Sequence, residues 1–134
     1  LASRRVHGGL QSKLMRFAVS LLLAAAVFAA VPASEFRDRR ARFRAGFDGI
    51  LVLSGHGPAE ETRDGFFQEP NFHYLTGWNE PGAVLILTAN EEVLLLPERS
   101  ERFERYNGRK LAAGDPGVEE KTGFAKVLPL AKFG

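Results

Sequence analysis

Apolar and polar positions fall into blocks along this chain, and the length of each block indicates the element that it forms. Three short apolar runs contain many branched residues and are bounded by glycine, proline, asparagine or charged residues: Ile50–Leu53, Ala83–Leu87 and Val93–Leu96. Such runs are typical of strands buried on both faces. The polar stretch 88–92 suits a hairpin, so we expect the second and third strands to be antiparallel.

A helix is predicted ahead of the first strand. Ser34 is a good N-cap residue, an acidic first turn follows, and Phe36, Phe43 and Phe47 recur at helical spacing. We therefore expect a helix from about Ser34 to Ala45, closed by a glycine. Its arginines are interpreted as the solvated side of an amphipathic helix; they are Arg37, Arg39, Arg40, Arg42 and Arg44.

The segment after the third strand predicts two more helices and a last strand. Residues 98–106 have helical spacing, a short helix is expected from Asp115 to Gly123, and Val127–Leu130 has the composition of a strand. These elements indicate an α/β domain over residues 34–134, with a mixed β-sheet covered by helices on both faces. The last strand has no closing element behind it, so we expect the domain to be truncated at its C-terminal end.

The first third of the chain has the order of a secretory signal. Arg16 is followed by the apolar run Phe17–Val31, interrupted only by Ser20, and then by small residues. We interpret residues 15–33 as a signal-peptide helix that is cut after Ala33. The run is shorter than the roughly 20 apolar residues that span a bilayer, so we expect no stable membrane anchor. The mature protein should be exported, to the periplasm or the medium, and residues 1–14 form an unstructured basic extension.

Charge and cysteine usage exclude several classes of function. The formal net charge is +2, but from Ser34 onward 14 basic and 16 acidic residues give 14 − 16 = −2. The basic excess belongs to the leader, so we expect no nucleic-acid partner. The chain has no cysteine, which excludes disulfides, thiolate metal ligands and a thiol nucleophile.

Two sequence blocks carry a resemblance to a known family. The first, FFQEPNFHYLTGWNEP at 66–81, resembles the F-x-Q-x-x-N-F-x-Y-L-T-G block of aminopeptidase P amino-terminal domains, also called Xaa-Pro aminopeptidases. The second, at 108–124, is similar to the segment after the third strand in that family. Phe67 and His73 depart from the pattern, since many relatives carry arginine and an aromatic residue there.

The resemblance implies the non-catalytic amino-terminal domain of an exported Xaa-Pro aminopeptidase, a metallopeptidase of the creatinase and prolidase superfamily. In that family a downstream domain uses two Asp, one His and two Glu to hold two divalent metals, commonly manganese. A metal-activated water would then attack the peptide bond ahead of proline. The implied partners are this chain's own C-terminal catalytic domain, further copies in a homo-oligomer, and a peptide with proline second.

No catalytic or metal-binding residue is assigned to the chain itself, and we expect it to bind no cofactor. His56 and His73 lack the spacing of a metal motif. Gln68, Asn71, Tyr74 and Trp78 are the candidate residues for a substrate channel or a subunit interface. The alternative is structural: Gln68 and Asn71 bond to backbone in a tight turn, and residues 76–77 end a helix.

Two other functions remain open from the sequence alone. The chain could be a stand-alone secreted module for binding or oligomerisation that lacks any enzyme domain. It could also be the front domain of a prolidase or creatinase relative, because the downstream fold is shared among these activities. In either case the fragment itself would be inactive.

Overall fold

The structure is a computed structural model that describes residues 31–60 and 65–133. The predicted extension at 1–14 lies outside the described residues, as does the signal peptide at 15–33 apart from its last three positions. One compact unit begins at Pro32 and contains every element below. In the described ranges no helix is both long and apolar enough to cross a membrane.

The described residues of the unit form four α-helices, four strands and two short 3-10 helices. The helices are α1 (Ala33–Ala45), α2 (Pro70–Thr76), α3 (Glu101–Asn107) and α4 (Val118–Thr122). The strands are β1 (Ile50–Ser54), β2 (Val84–Thr88), β3 (Glu92–Leu96) and β4 (Val127–Pro129). The 3-10 helices are Pro58–Glu60 and Leu130–Phe133.

The strands form one four-stranded sheet in the order β1-β2-β3-β4. β1 pairs antiparallel with β2, β2 pairs antiparallel with β3, and β3 pairs parallel with β4. The predicted mixed sheet and the antiparallel β2–β3 hairpin are therefore confirmed. The parallel pair requires a crossover, and the segment that contains α3 and α4 supplies it.

The two faces of the sheet are covered to different extents. The inner face carries fully buried leucines, among them Leu85 and Leu94, which pack with Phe72 of α2 and with Val118 and Phe124. On the outer face the 3-10 helix at Leu130–Phe133 packs against β3 and β4. The core therefore lies between the inner face and the helices, and the outer face is covered mainly at its β3–β4 end.

β1 differs from the prediction of a strand buried on both faces. Its exposure alternates along the strand, and Ile50 and Val52 are 72% and 47% exposed. Both residues lie on the outer face, since side chains two positions apart point the same way. β1 is an edge strand, so its apolar composition reflects a surface that the described residues leave uncovered.

The arginines of α1 also differ from the prediction of a uniformly solvated side. Arg40 is 0% exposed and donates to both carboxylate oxygens of Glu92, at 3.0 and 3.1 Å. It also donates to the carbonyl oxygens of Leu75 and Gly123, and its guanidinium lies 3.7 Å from the centre of the Phe124 ring. The charge can be buried because the guanidinium is paired with a carboxylate and each of its three nitrogens donates a hydrogen bond.

Two helix starts differ by a few residues from the sequence-based expectation. α1 begins at Ala33, so Ser34 lies in the first turn, Pro32 takes the N-cap position, and no side chain caps the helix. α4 begins at Val118 rather than near Asp115. Asp115 instead lies in the preceding turn, where its carboxylate accepts a hydrogen bond from the N–H of Ala112 at 2.9 Å.

Candidate functional site

The segment Gln68–Trp78 contains the four candidate residues, and Gln68 is one of its two buried polar residues. Its Oε1 accepts hydrogen bonds from the backbone N–H groups of His56, at 2.7 Å, and Glu69, at 3.0 Å. Its Nε2 donates to the carbonyl oxygen of Glu80 at 3.0 Å. Gln68 is 9% exposed. The predicted backbone role of Gln68 is confirmed, because one amide joins the segments that precede and follow α2.

Asn71 was predicted to bond to backbone in the same tight turn, and its side chain does not do so. It is exposed, and its Nδ2 donates to Oε1 of Glu69 at 2.9 Å instead of bonding to backbone. Glu69 is the N-cap of α2, and its Oε2 accepts from the N–H of Phe72 at 2.6 Å. That backbone hydrogen bond, with further help from Asn71, holds the pKa of Glu69 below its usual value of 4.5. Asn71 therefore supports a helix cap.

Tyr74 is, like Asn71, an exposed candidate. Its side chain is on the surface, at 55% exposure, and the guanidinium of Arg39 lies 4.5 Å from the centre of its ring. Arg39 also donates to the Tyr74 carbonyl oxygen at 3.2 Å and pairs with Glu35 on α1. The arginine thus fixes α1 to the C-terminal half of α2 and leaves the outer part of the tyrosine ring accessible.

Trp78 follows the left-handed Gly77 that ends α2 and packs against the core cluster. Its backbone N–H donates to Oγ1 of Thr76 at 3.0 Å. Its indole Nε1 is buried and has no hydrogen-bond partner among the residues that the structure describes. An unpaired buried donor is unfavourable, so the indole occupies this position for the packing of its ring rather than for a polar contact.

Trp78 also lines a cavity of about 260 Å³ between the ends of the strands and α3. The cavity is small for a ligand site, since such pockets usually enclose about 300–1,000 Å³. Its wall combines apolar rings with charged residues that are already paired, as in Lys110 with Glu80 at 3.8 Å and Arg99 with Glu104 at 3.4 Å. The lining residues include Pro58, Trp78, Pro81, Pro97, Phe103 and Leu111.

The structure does not bring the four candidates together in one site. Gln68 and Trp78 are directed into the domain, whereas Asn71 and Tyr74 lie on its surface. Sequence reasoning missed the contributions of Phe103 and Lys110 to the cavity, because they come from the segment after β3. No local sequence signal could have indicated this, since the contact depends on how that segment packs against the ends of the strands.

In the part of the chain that the structure describes, no group of three or more His, Asp or Glu side chains could hold a metal ion. His56 lies near β1, with Nδ1 2.9 Å from the Phe67 carbonyl oxygen, and His73 makes an edge contact with the Phe36 ring. We therefore assign no metal site to these residues.

Comparison with known proteins identifies the domain. The family model described as "Aminopeptidase P, N-terminal domain" matches residues 36–134. The chain belongs to this family. Two curated relatives are the Xaa-Pro aminopeptidase of Haemophilus influenzae and Xaa-Pro aminopeptidase 3 of Dictyostelium discoideum, each 36% identical over the matched part. The matches cover 78% and 57% of this chain but only 28% and 17% of those relatives.

Solved aminopeptidase P structures have the same fold as this domain. An Escherichia coli aminopeptidase P with the inhibitor Pro-Leu matches with a TM-score of 0.65 and 26% identity, over 78% of this chain and 26% of that one. The Pseudomonas aeruginosa aminopeptidase PepP matches with a TM-score of 0.64 and 28% identity, over 77% and 25%. A zinc-substituted E. coli aminopeptidase P with product also matches. The chain thus spans about a quarter of these enzymes, as their N-terminal domain.

Proposed function

We propose that this chain is the amino-terminal, non-catalytic domain of an exported Xaa-Pro aminopeptidase, which removes an N-terminal residue that precedes proline. The observation that carries the proposal is the match of residues 36–134 to the aminopeptidase P N-terminal domain, together with the names of the relatives. The relatives are several times longer than the matched part, which supports placing the chemistry in a domain downstream of this one.

The role of the domain in the larger protein is structural. Hydrogen bonds from Gln68 and Arg40, and the cap at Glu69, fix the chain segments around α2. A rigid surface of this kind suits packing against a catalytic domain and a second subunit. Tyr74, which is exposed and held by Arg39, is the candidate residue best placed for such a contact.

The metals belong to the downstream domain in this proposal. Two divalent ions, manganese by preference, would activate the attacking water and stabilise the charge that develops on the peptide oxygen. This chain's residues would bind neither ion and would not touch the reacting bond. Their contribution would be to position the catalytic domain and to limit access to its entrance.

Peptide hydrolysis by the complete gene product tests the activity. We expect release of the first residue from Ala-Pro-Ala and not from Ala-Ala-Ala, loss of activity with a chelator, and recovery with added Mn²⁺. The 134-residue chain alone should release nothing. Cleavage of the dipeptide Ala-Pro but not of the tripeptide would indicate a prolidase relative. A gene product that ends with this domain and hydrolyses neither peptide would indicate a binding module.

We further propose export through residues 15–33, on the basis of the apolar run and the small residues before Ser34. Fusion of residues 1–40 to a reporter that is active only outside the cytoplasm should give active reporter whose N-terminus is Ser34. Replacing Leu22 by Asp should abolish both export and cleavage. An active reporter that retains the full leader would contradict the predicted cut.

A further inference from the structure

The bond at which the leader is proposed to be cut lies inside the folded domain. This bond joins Ala33 to Ser34. Since α1 begins at Ala33, both residues belong to its first turn, and the compact unit begins one residue earlier, at Pro32. The N–H of Glu35 donates to the Pro32 carbonyl oxygen at 3.0 Å, across the same bond. The bond is therefore part of a hydrogen-bonded turn and not of a tail ahead of the domain.

The carbonyl group of this bond lies beside the end of α4. A Cβ atom placed on Gly123, the residue that ends α4, would be 3.1 Å from Cβ of Ala33 and 3.4 Å from its carbonyl oxygen. A peptidase has to reach this carbonyl and stabilise the negative charge that develops on its oxygen. Access to the bond is therefore restricted by the neighbouring helix end, although Ala33 itself is exposed.

α1 is fixed to the rest of the domain only two residues beyond the bond. The ring of Phe36 packs over Gly77, at the end of α2. One turn further along, the buried guanidinium of Arg40 is paired with Glu92 on β3. The first turn of α1 therefore cannot be drawn far from the domain unless these contacts are loosened.

A peptidase needs a different conformation at the bond that it cuts. Enzymes that bind a peptide backbone commonly hold it extended, so that its N–H and C=O groups can pair with the enzyme. Pro32, before the bond, has this conformation, with φ −68° and ψ 151°. The residues after the bond are helical, from 34 to 45. Cleavage of the folded chain thus requires the first turn of α1 to unwind, and unwinding as far as Phe36 would remove its ring from Gly77.

We propose that the folded domain protects the bond between Ala33 and Ser34, so that the leader is removed only from chains in which α1 has not yet packed against the domain. The inference rests on the proposed export through residues 15–33. It adds an order of events: cleavage comes first and the docking of α1 second. A chain that folds before it meets the peptidase keeps its leader.

Cleavage by a purified leader peptidase in detergent tests the proposal on the complete 134-residue chain. Mass spectrometry follows the appearance of the product that begins at Ser34. The reference substrate is a peptide of residues 15–45, which contains the same bond without the domain against which α1 packs. We expect the peptide to be cut faster than the folded chain by about tenfold or more, because only the chain has to open first.

Arg40→Met in the complete chain tests whether the docking of α1 causes the protection. Loss of the buried ion pair should increase the population in which α1 is undocked and raise the cleavage rate by about tenfold or more. Arg42→Met is the matched control, since the Arg42 side chain is 66% exposed, and it should leave the rate unchanged. Arg40→Met in the peptide should also have no effect, which separates docking from recognition by the peptidase.

A spacer provides a second measurement that leaves the domain folded. A spacer of about six Gly and Ser residues between Ala33 and Ser34 is flexible and moves the bond after Ala33 out of the helix. The folded spacer chain should be cut nearly as fast as the peptide. Circular dichroism of the uncut chain confirms that the helices are retained.

The outcomes separate this inference from the export proposal on which it rests. A peptide that is not cut after Ala33 would overturn the proposed cut and the inference with it. A peptide that is cut correctly, together with a folded wild-type chain that is cut equally fast, would overturn the inference alone. Equal rates for Arg40→Met and Arg42→Met, or a spacer chain as resistant as the wild type, would overturn it as well.

Discussion

Arg40 connects three parts of the domain that are far apart in the chain. Its guanidinium binds Glu92 on β3, the end of α2 through the Leu75 carbonyl, and the end of α4 through the Gly123 carbonyl. The ion pair is buried, with side-chain exposures of 0% for Arg40 and 13% for Glu92. Removal of one partner from such a pair is costly because it leaves the other charge and the carbonyl groups without hydrogen bonds.

Arg40→Met should lower the free energy of unfolding by about 3–5 kcal/mol, because Glu92 and two carbonyl groups would lose their donor. Arg42→Met is the matched control: Arg42 lies on the same helix, is 66% exposed and makes one long ion pair with Glu35. That change should cost less than about 1 kcal/mol. Urea denaturation measures both, and equal losses in the two variants would contradict the structural role of Arg40.

At the scale of elements, α2 shows how local signals and packing combine. Pro70 begins the helix, the Glu69 carboxylate caps its first turn, and Gly77 ends it with a φ of 67°. Only glycine adopts this left-handed conformation at little cost. The ring of Phe36 on α1 packs directly over Gly77, where any side chain would overlap it. The end of α2 is therefore also the contact point of α1.

Gly77→Ala should destabilise the domain by about 2–4 kcal/mol, because the strain of a positive φ adds to overlap with Phe36. Gly114→Ala is the control, since Gly114 has no positive φ and no atom close to the position of an added Cβ. It should change stability by less than about 1 kcal/mol. Thermal unfolding followed by circular dichroism distinguishes the two variants. If Gly77→Ala left the stability unchanged, α1 would have to move away from Gly77 at little cost.

For the whole molecule, two carboxylates make stability depend on pH. The N–H of Ala112 and the guanidinium of Arg99 hold the pKa of Asp115 below its usual value of 3.8, and the cap on α2 does the same for Glu69. Both groups therefore release their protons at lower pH in the folded chain than in the unfolded chain. Between the two pKa values the unfolded state binds more protons, so stability rises with pH.

The melting temperature should consequently be constant above the ordinary pKa values, near pH 4–5, and should fall as the pH drops further. Asp115→Asn should reduce this fall in melting temperature, since it removes one of the two carboxyl groups whose pKa is lowered in the folded chain. Glu120→Gln, at an exposed position without an ion pair among the described residues, should leave it unchanged. A melting temperature that rises on acidification would contradict the assigned hydrogen bonds.

The sequence alone determined the features of this protein that depend on neighbouring residues. The apolar runs indicated all four strands, residues 76–77 indicated the end of a helix, and the block at 66–81 indicated the family. These predictions succeeded because strand composition, glycine conformation and hairpin length act within a few residues of the chain. The backbone role of Gln68 was also predictable, since a neutral amide beside a buried aromatic run requires partners.

Only the tertiary structure decided the features that depend on distant segments. Arg40 is buried because β3, α2 and α4 converge on it, and no periodicity within α1 distinguishes it from the exposed Arg42. Similarly, Ile50 and Val52 have the composition of a central strand, but the order of the strands places them at an edge. Burial is a property of the assembled surface, so composition sets which residues can be buried and the fold decides which of them are.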